Sequence, residues 1–249
     1  MKLIKSLLIA AVVALAGVAQ AQTAEEIVAN YFENTGGLDA WNSIETMQLT
    51  GKAGMGPQEF PFTQTMSSDG KMAIVIDFQG MKFTPQAFDG EQMWGTNFQT
   101  MKAEAMDAET SANYKKEAKN ILDTFLNYEE KGYTLELQGS ETVEGTDTFK
   151  ILVTKTPIMV DGKEEANTAT FFFDKENFVP IMSETAVTSG PQKGMMTQTL
   201  YSDYQEAGDI YYPHSLTVKF NGNVGQTIKV EAIEINPEID ESIFKMPTQ

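Results

Sequence analysis

The side chains that most often carry chemistry are scarce in this chain. It has no cysteine and one histidine, His214, which follows Pro213 at the start of an apolar alternation. Thiol nucleophiles, thiolate metal ligands and disulfides are therefore excluded. A zinc site of the usual Cys and His ligands cannot be assembled from a single His. A Ser-His-Asp arrangement is allowed by inventory alone, and no G-x-S-x-G elbow exists to present the serine. Gly-rich phosphate and dinucleotide loops are absent. His214 reads as a packing or surface residue. Asp203, Glu206 and Asp209 cluster near a turn and could offer oxygen ligands to calcium. Their spacing is not that of a calcium loop, and they read as a solvated acidic turn. A glycosidase needs two carboxylates at a set separation across a cleft, which scattered acids do not define. The expectation is a protein that is not an enzyme, with no cofactor and no metal.

Charge narrows the partners. The chain has 35 acidic residues against 18 basic ones, all of them lysine, for a net charge of −17. Such a chain is repelled by nucleic acid and by anionic headgroups, so no nucleic acid is expected as a partner. Residues 1–21 read as a signal peptide. Lys2 and Lys5 form a basic start, Leu7 to Val18 an apolar core too short for a stable span, and Ala19-Gln20-Ala21 a cleavage site. No cysteine follows the cut to take a lipid. The expected product is soluble, periplasmic and monomeric, without a stable membrane anchor. Residues 22–249 form one domain, a length that one large β structure accommodates.

What must position any site is a run of strands. From Ser67 to Gly95, Met72, Ile74, Ile76 and Phe78 alternate with Lys71, Ala73, Val75 and Asp77. A period of two sends one set to one face of a sheet. Asp69-Gly70, Gln79-Gly80 and Asp89-Gly90 supply the turns. The apolar face continues through Met81, Phe83 and Met93. Before it, Phe60, Phe62, Gln64 and Met66 share a side. Pro61 and Pro85 interrupt their strands and argue for edges or bends. Later alternations include Phe149, Ile151 and Val153; Ala169, Phe171 and Phe173, with Phe172 opposite; and Leu216, Val218 and Phe220. Ile228 and Val230 fall out of phase with Ile233 and Ile235, so a bulge is expected near Ala232. Ile239, Ile243 and Phe244 anchor the tail.

Two segments break the β pattern. Ala24 to Asn34 reads as a helix ended by Gly36 and Gly37, with a short turn placing Leu38, Trp41 and Ile44 together. Asp107 to Tyr128 carries Tyr114, Ala118, Ile121, Leu122 and Phe125 at helical spacing, and predicts an amphipathic helix over an apolar surface. Roughly ten or eleven strands are expected, in one antiparallel sheet curling into a barrel or half-barrel. Eight methionines fall between Met47 and Met106. They either fill core gaps or line an adaptable apolar surface.

Several short pieces, in this order, resemble the LolA/LolB-like outer-membrane lipoprotein-sorting family. They are Tyr31 with Gly36-Gly37-Leu38-Asp39-Ala40-Trp41, then Asp89-Gly90-x-x-x-Trp94, then Gly139-x-Glu141-x-Val143-x-Gly145. Tyr201-x-x-Tyr204 with Gly208 and Tyr212-Pro213 follows, and Phe244-x-x-Pro247 ends the series. The resemblance spans nearly all of residues 22–249. It implies a mostly β fold with helices (α+β), an incomplete antiparallel barrel of about ten or eleven strands under a helical lid. It also implies a hydrophobic cavity for lipoprotein acyl chains or other lipophilic ligands carried across the periplasm. Family carriers hold the lid with an arginine on lid backbone; here only lysine can do so, as a point charge.

Alternation and resemblance together nominate Phe60, Phe62, Met72, Ile74, Ile76, Phe83 and Met93 as the wall of a ligand site, with Ile121, Leu122 and Phe125 on the lid. The expected partner is a lipophilic ligand or an acylated lipoprotein. The alternative is an envelope sensor or scaffold module that binds another protein and fills the cavity with its own side chains. In that case Phe172 and the proline-bearing strands are the features to watch.

Overall fold

Paired left-handed residues make many of the reversals. Gln79-Gly80, Glu144-Gly145, Asp161-Gly162 and Asn221-Gly222 all have positive φ at both positions, which suits two-residue hairpins between right-twisted strands. A computed structural model describes residues 22–188 and 192–248; the expected signal peptide lies outside them. The first meander is β1 (Thr46–Met55), β2 (Gln58–Ser67), β3 (Met72–Phe78), β4 (Met81–Phe88), β5 (Met93–Asn97) and β6 (Lys102–Ala105). The second is β7 (Thr134–Val143), β8 (Thr146–Val160), β9 (Lys163–Asp174), β10 (Pro180–Ala186), β11 (Met196–Ala207), β12 (Ile210–Phe220) and β13 (Asn223–Ile235).

The two meanders join where β13 pairs with β1. The result is one 13-stranded antiparallel sheet in the order β6-β5-β4-β3-β2-β1-β13-β12-β11-β10-β9-β8-β7. β6 and β7 lie at opposite ends of that order and do not pair, so the sheet curls without closing. The strand count exceeds the expected ten or eleven, and β6, only four residues long, is the shortest strand.

Irregularities interrupt the ladder in several strand pairs, two of them in the first meander and its seam. Between β1 and β13, Thr50 pairs with Ala232 but Gly51 pairs with Val230, so Glu231 is the extra residue of a bulge next to the expected position. Gly51 is required there: a Cβ would lie 2.0 Å from the Lys229 carbonyl oxygen. Pro85 sits beside a second bulge, where Ile74 pairs with Gln86 and Ile76 with Phe83. Pro61 is not on an edge strand, since β2 lies between β1 and β3. It pairs with Lys52 of β1 just beyond Phe62, where the β3 ladder stops and no N–H is needed.

One end of the trough is plugged. Helix α1 (Ala24–Asn34) starts with a capping box between Thr23 and Glu26 and buries Ile27, Val28, Tyr31 and Phe32. Helix α2 (Leu38–Asn42) adds Trp41, whose Nε1 donates to the Thr35 carbonyl at 3.2 Å. Ile44 is buried beside it, but Leu38 is exposed. These side chains join Met47, Ile151, Val153 and Phe173 in the main core. Each large apolar side chain buried there contributes about 1.5–3 kcal/mol. Met47, Met66, Met72 and Met93 are core residues too, so half of the methionine run is ordinary filling.

On the convex face the tail anchors Ile239, Ile243 and Phe244 pack on Ala73, Ala87 and Trp94. Trp94 Nε1 donates to the Phe244 carbonyl at 2.7 Å. Phe172 does face away from Phe171 and Phe173, but it is covered by Val143 and Met182.

The helix expected over Asp107 to Tyr128 is shorter. Helix α3 covers Ala108–Glu117, a single 3-10 turn follows at Ala118–Asn120, and the rest is irregular. Asp123 shapes the irregular part. Its carboxylate accepts from the backbone N–H groups of Phe125 (2.7 Å) and Leu126 (3.1 Å), a local bond that competes with the helix.

Candidate ligand cavity

The connection from β6 to β7 has to cross between the two free edges. It therefore lies over the open side of the trough, and α3 is the part that spans it. Asp107 caps α3 through Thr110 N at 2.8 Å. On the first wall, Gln92 Nε2 donates to the Met106 carbonyl (3.0 Å) and to Ser111 Oγ (2.9 Å), and Met93 N donates to the same hydroxyl at 3.2 Å. On the opposite wall, Asn113 exchanges two bonds with the backbone of Met159, at 2.6 and 2.8 Å. Glu109 accepts from the N–H groups of Asp161 (3.0 Å) and Gly162 (2.9 Å), and Lys116 donates to the Pro157 carbonyl at 2.6 Å. The cover is thus fastened on both sides mainly by polar contacts, with one apolar contact, the Tyr114 ring 4.8 Å from that of Phe88; Ser111 is its one fully buried residue.

Beneath α3 lies an open cavity of about 730 Å³. Gln86 and Met93 line one wall; Lys155, Ile158, Asn167 and Thr185 line the other; Asn113, Tyr114 and Glu117 form the roof. Its volume lies in the range of small-molecule pockets, about 300–1,000 Å³. The lining mixes apolar with amide, hydroxyl and charged groups. At the far wall Lys155 Nζ is 2.6 Å from Glu117 Oε2. The other Glu117 oxygen accepts from Asn167 Nδ2.

The register places the nominated wall residues on one face. Phe60 opposes Ala53, Phe62 opposes Ile76, Ile76 opposes Phe83, Met72 opposes Phe88, and Phe88 opposes Met93. Ile74 shares the concave side. Phe62, Met72 and Met93 are buried in the main core; Phe60, Ile74, Ile76 and Phe83 are half-buried. Met93 alone of these seven borders the large cavity. The lid residues separate. Ile121 and Leu122 border a smaller pocket of about 350 Å³ that also includes Trp41, Lys119 and Lys131. Phe125 points into the core, 4.8 Å from the Phe171 ring centre and 5.1 Å from that of Phe173.

The polar lining does not follow from the alternation, which marks only apolar wall. One signal for it was present. Ile151, Val153 and Lys155 share a phase, so the lysine falls on the inward side of a core strand.

A second polar group holds the irregular part of the cover. Tyr31 Oη donates to Asp123 at 3.0 Å. Lys131 Nζ donates to the carbonyls of Asp123 (2.9 Å) and Thr124 (3.4 Å). A lysine therefore does contact cover backbone in this arginine-free chain. Burial pushes the Lys131 ammonium down to about 8, against the pull of Asp123. Burial likewise raises the Asp123 carboxyl above the usual carboxylate range, opposed by the N–H donors of Phe125 and Leu126 and by Lys131.

No family model matches the chain, and no curated protein matches it in sequence. Solved structures do match in shape. A LolA superfamily protein from Nitrosomonas europaea aligns over 90% of this chain and 98% of its own, at 12% identity and a TM-score of 0.56. This chain has the LolA fold. A domain assigned to outer membrane lipoprotein sorting from Vibrio parahaemolyticus aligns over 88% and 94% at 13% identity, also with a TM-score of 0.56. A DUF1329 family protein from Desulfovibrio piger aligns over 89% and 96%, at 13% identity and 0.56. The LolA-like features here are the open 13-stranded half-barrel and the helical cover joining its free edges. Among the described residues no helix is long and apolar enough to cross a membrane.

Proposed function

We propose that this protein is a periplasmic binding and carrier protein for acyl-bearing, lipophilic ligands. In this reading residues 1–21 direct export and are removed, residues 22–249 form a single LolA-like domain, and no catalysis is involved. The observation that carries the proposal is the open cavity of about 730 Å³ between α3 and the concave wall. Phe60, Phe62, Met72, Ile74, Ile76, Phe83 and Met93 continue that wall along the trough, while Ile121 and Leu122 line the smaller pocket and Phe125 anchors the cover in the core. Each methylene withdrawn from water contributes about 0.8 kcal/mol, so a chain of ten outweighs a single neutral hydrogen bond many times over.

Mass spectrometry of an organic extract from gently purified protein tests this. Co-purified acylated molecules at up to one per chain are expected. An extract free of lipid, together with no uptake of a fluorescent fatty acid, contradicts the reading.

A second reading, docking on another envelope protein, has one feature in its favour. Phe78, Met81, Phe98, Met101, Phe220 and Val224 are exposed at hairpin turns on one end of the sheet. The features first nominated for it do not serve, since Phe172 is covered and Pro61 lies inside the sheet.

A further inference from the structure

Lys155 occupies a position on β8 where an apolar residue is expected. It follows Ile151 and Val153 in phase, faces the concave side opposite Asn167, and has a side chain only 12% exposed. It is the only cation among the described residues that line the large cavity. Withdrawing an ammonium from water is costly, and one carboxylate in good geometry offsets that cost only in part. Its partner, Glu117, sits on the cover and not on the wall, and is 33% exposed. The two ends of this pair therefore differ. Glu117 is the more exposed of the two and, being on the cover, can turn outward to water. Lys155 stays in the cavity and needs an anion there.

The cover does not depend on this pair. Asn113 with Met159, Glu109 with Asp161 and Gly162, and Lys116 with Pro157 hold α3 to the same wall. The ion pair is thus surplus to fastening, and it lies in the cavity beneath α3.

We propose that Lys155, with Asn167 beside it, is the head-group site of the cavity, and that its ligands are anionic amphiphiles bearing a carboxylate or phosphate. Glu117 fills that site in the free protein as an internal stand-in for the head group. Both head types offer oxygens to an ammonium and an amide N–H, as Glu117 does now. The ligand's anion replaces Glu117, which swings to water, and the acyl tail runs along the half-barrel wall. The exterior of a chain with net charge −17 repels anions, so the selectivity comes from this internal lysine at short range. This inference rests on the carrier reading and specifies the class of cargo.

The test is equilibrium titration of the full mature chain with a fluorescent long-chain fatty acid, the matching fatty alcohol and inorganic phosphate. The acid is expected to bind about tenfold more tightly than the alcohol, as a charge-assisted bond gives. Lys155→Met is expected to weaken the acid far more than the alcohol, bringing the two affinities together. Retained alcohol binding also shows that the variant is folded. Glu117→Gln removes the internal competitor and is expected to tighten the acid severalfold with no effect on the alcohol. Phosphate alone is expected to compete weakly; phosphate binding as tight as the acid's assigns the site to free anions and overturns the amphiphile. Equal binding of acid and alcohol by the unmodified protein, or equal weakening of both by Lys155→Met, overturns the head-group assignment and leaves the carrier reading in place. No binding of either ligand overturns both.

Discussion

At the scale of single residues, Asp123 and Lys131 do the most with the least. Asp123 satisfies two backbone N–H groups and the Tyr31 hydroxyl, and thereby holds a defined irregular turn. Asp123→Ala should cost about 1–3 kcal/mol in urea unfolding, the penalty of leaving such donors unpaired. Asp123→Asn keeps an acceptor oxygen and should cost less. Lys131 gives a pH signature of known sign. Its folded value of about 8 lies below the ordinary 10.5, so between these values the unfolded chain binds more protons than the folded one. Stability should therefore rise with pH from about 8 towards 10, and Lys131→Met should remove that rise. Tyr31 and Tyr204, both raised by burial, act in the opposite direction only above about 10. A stability curve that is flat or falling from pH 8 to 10 would contradict the environment described for Lys131.

At the scale of elements, the cover and the bulge carry the predictions. Apart from Tyr114 against Phe88, α3 buries little apolar surface, so most of its hold on the walls is polar. Asn113→Ala removes two bonds to the Met159 backbone. Amide hydrogen exchange in α3 should quicken by about tenfold, the effect of losing roughly 1.4 kcal/mol, with the global unfolding midpoint nearly unchanged. Exchange in α3 that is unaltered would show that the contacts to β8 do not hold it. At the β1–β13 seam, Gly51→Ala drives a Cβ against the Lys229 carbonyl and must part the strands that join the two meanders. A loss of more than about 2 kcal/mol in unfolding free energy is expected there.

Over the whole molecule, the legible part of the sequence was the part governed by a single short-range rule. Alternation identified the concave face from Phe60 to Met93, Gly-containing pairs identified the hairpins, and the phase slip after Val230 identified the bulge beside Ala232. The cover was less legible. Tyr114, Ala118, Ile121, Leu122 and Phe125 keep helical spacing, yet α3 stops at Glu117 and Asp123 holds the segment after it in a turn through bonds to its own neighbours. Phe125 is then free to enter the core. The cavity was the least legible feature. Its wall is assembled from β4, β5, β8, β9, β10 and α3, so no window of sequence contains it. Only Lys155, polar in an inward phase, pointed to it.

The central claim is that the space under α3 admits an acyl chain. Thr185 lines that space from β10 and is half-buried, so Thr185→Trp puts a bulky ring into it from a position outside the main core. Titration of a fluorescent fatty acid into both proteins is the most direct measurement. The account predicts saturation at one ligand per chain for the unmodified protein, and at least about tenfold weaker binding for the variant at an unchanged unfolding midpoint. Equal affinities in the two proteins would contradict it.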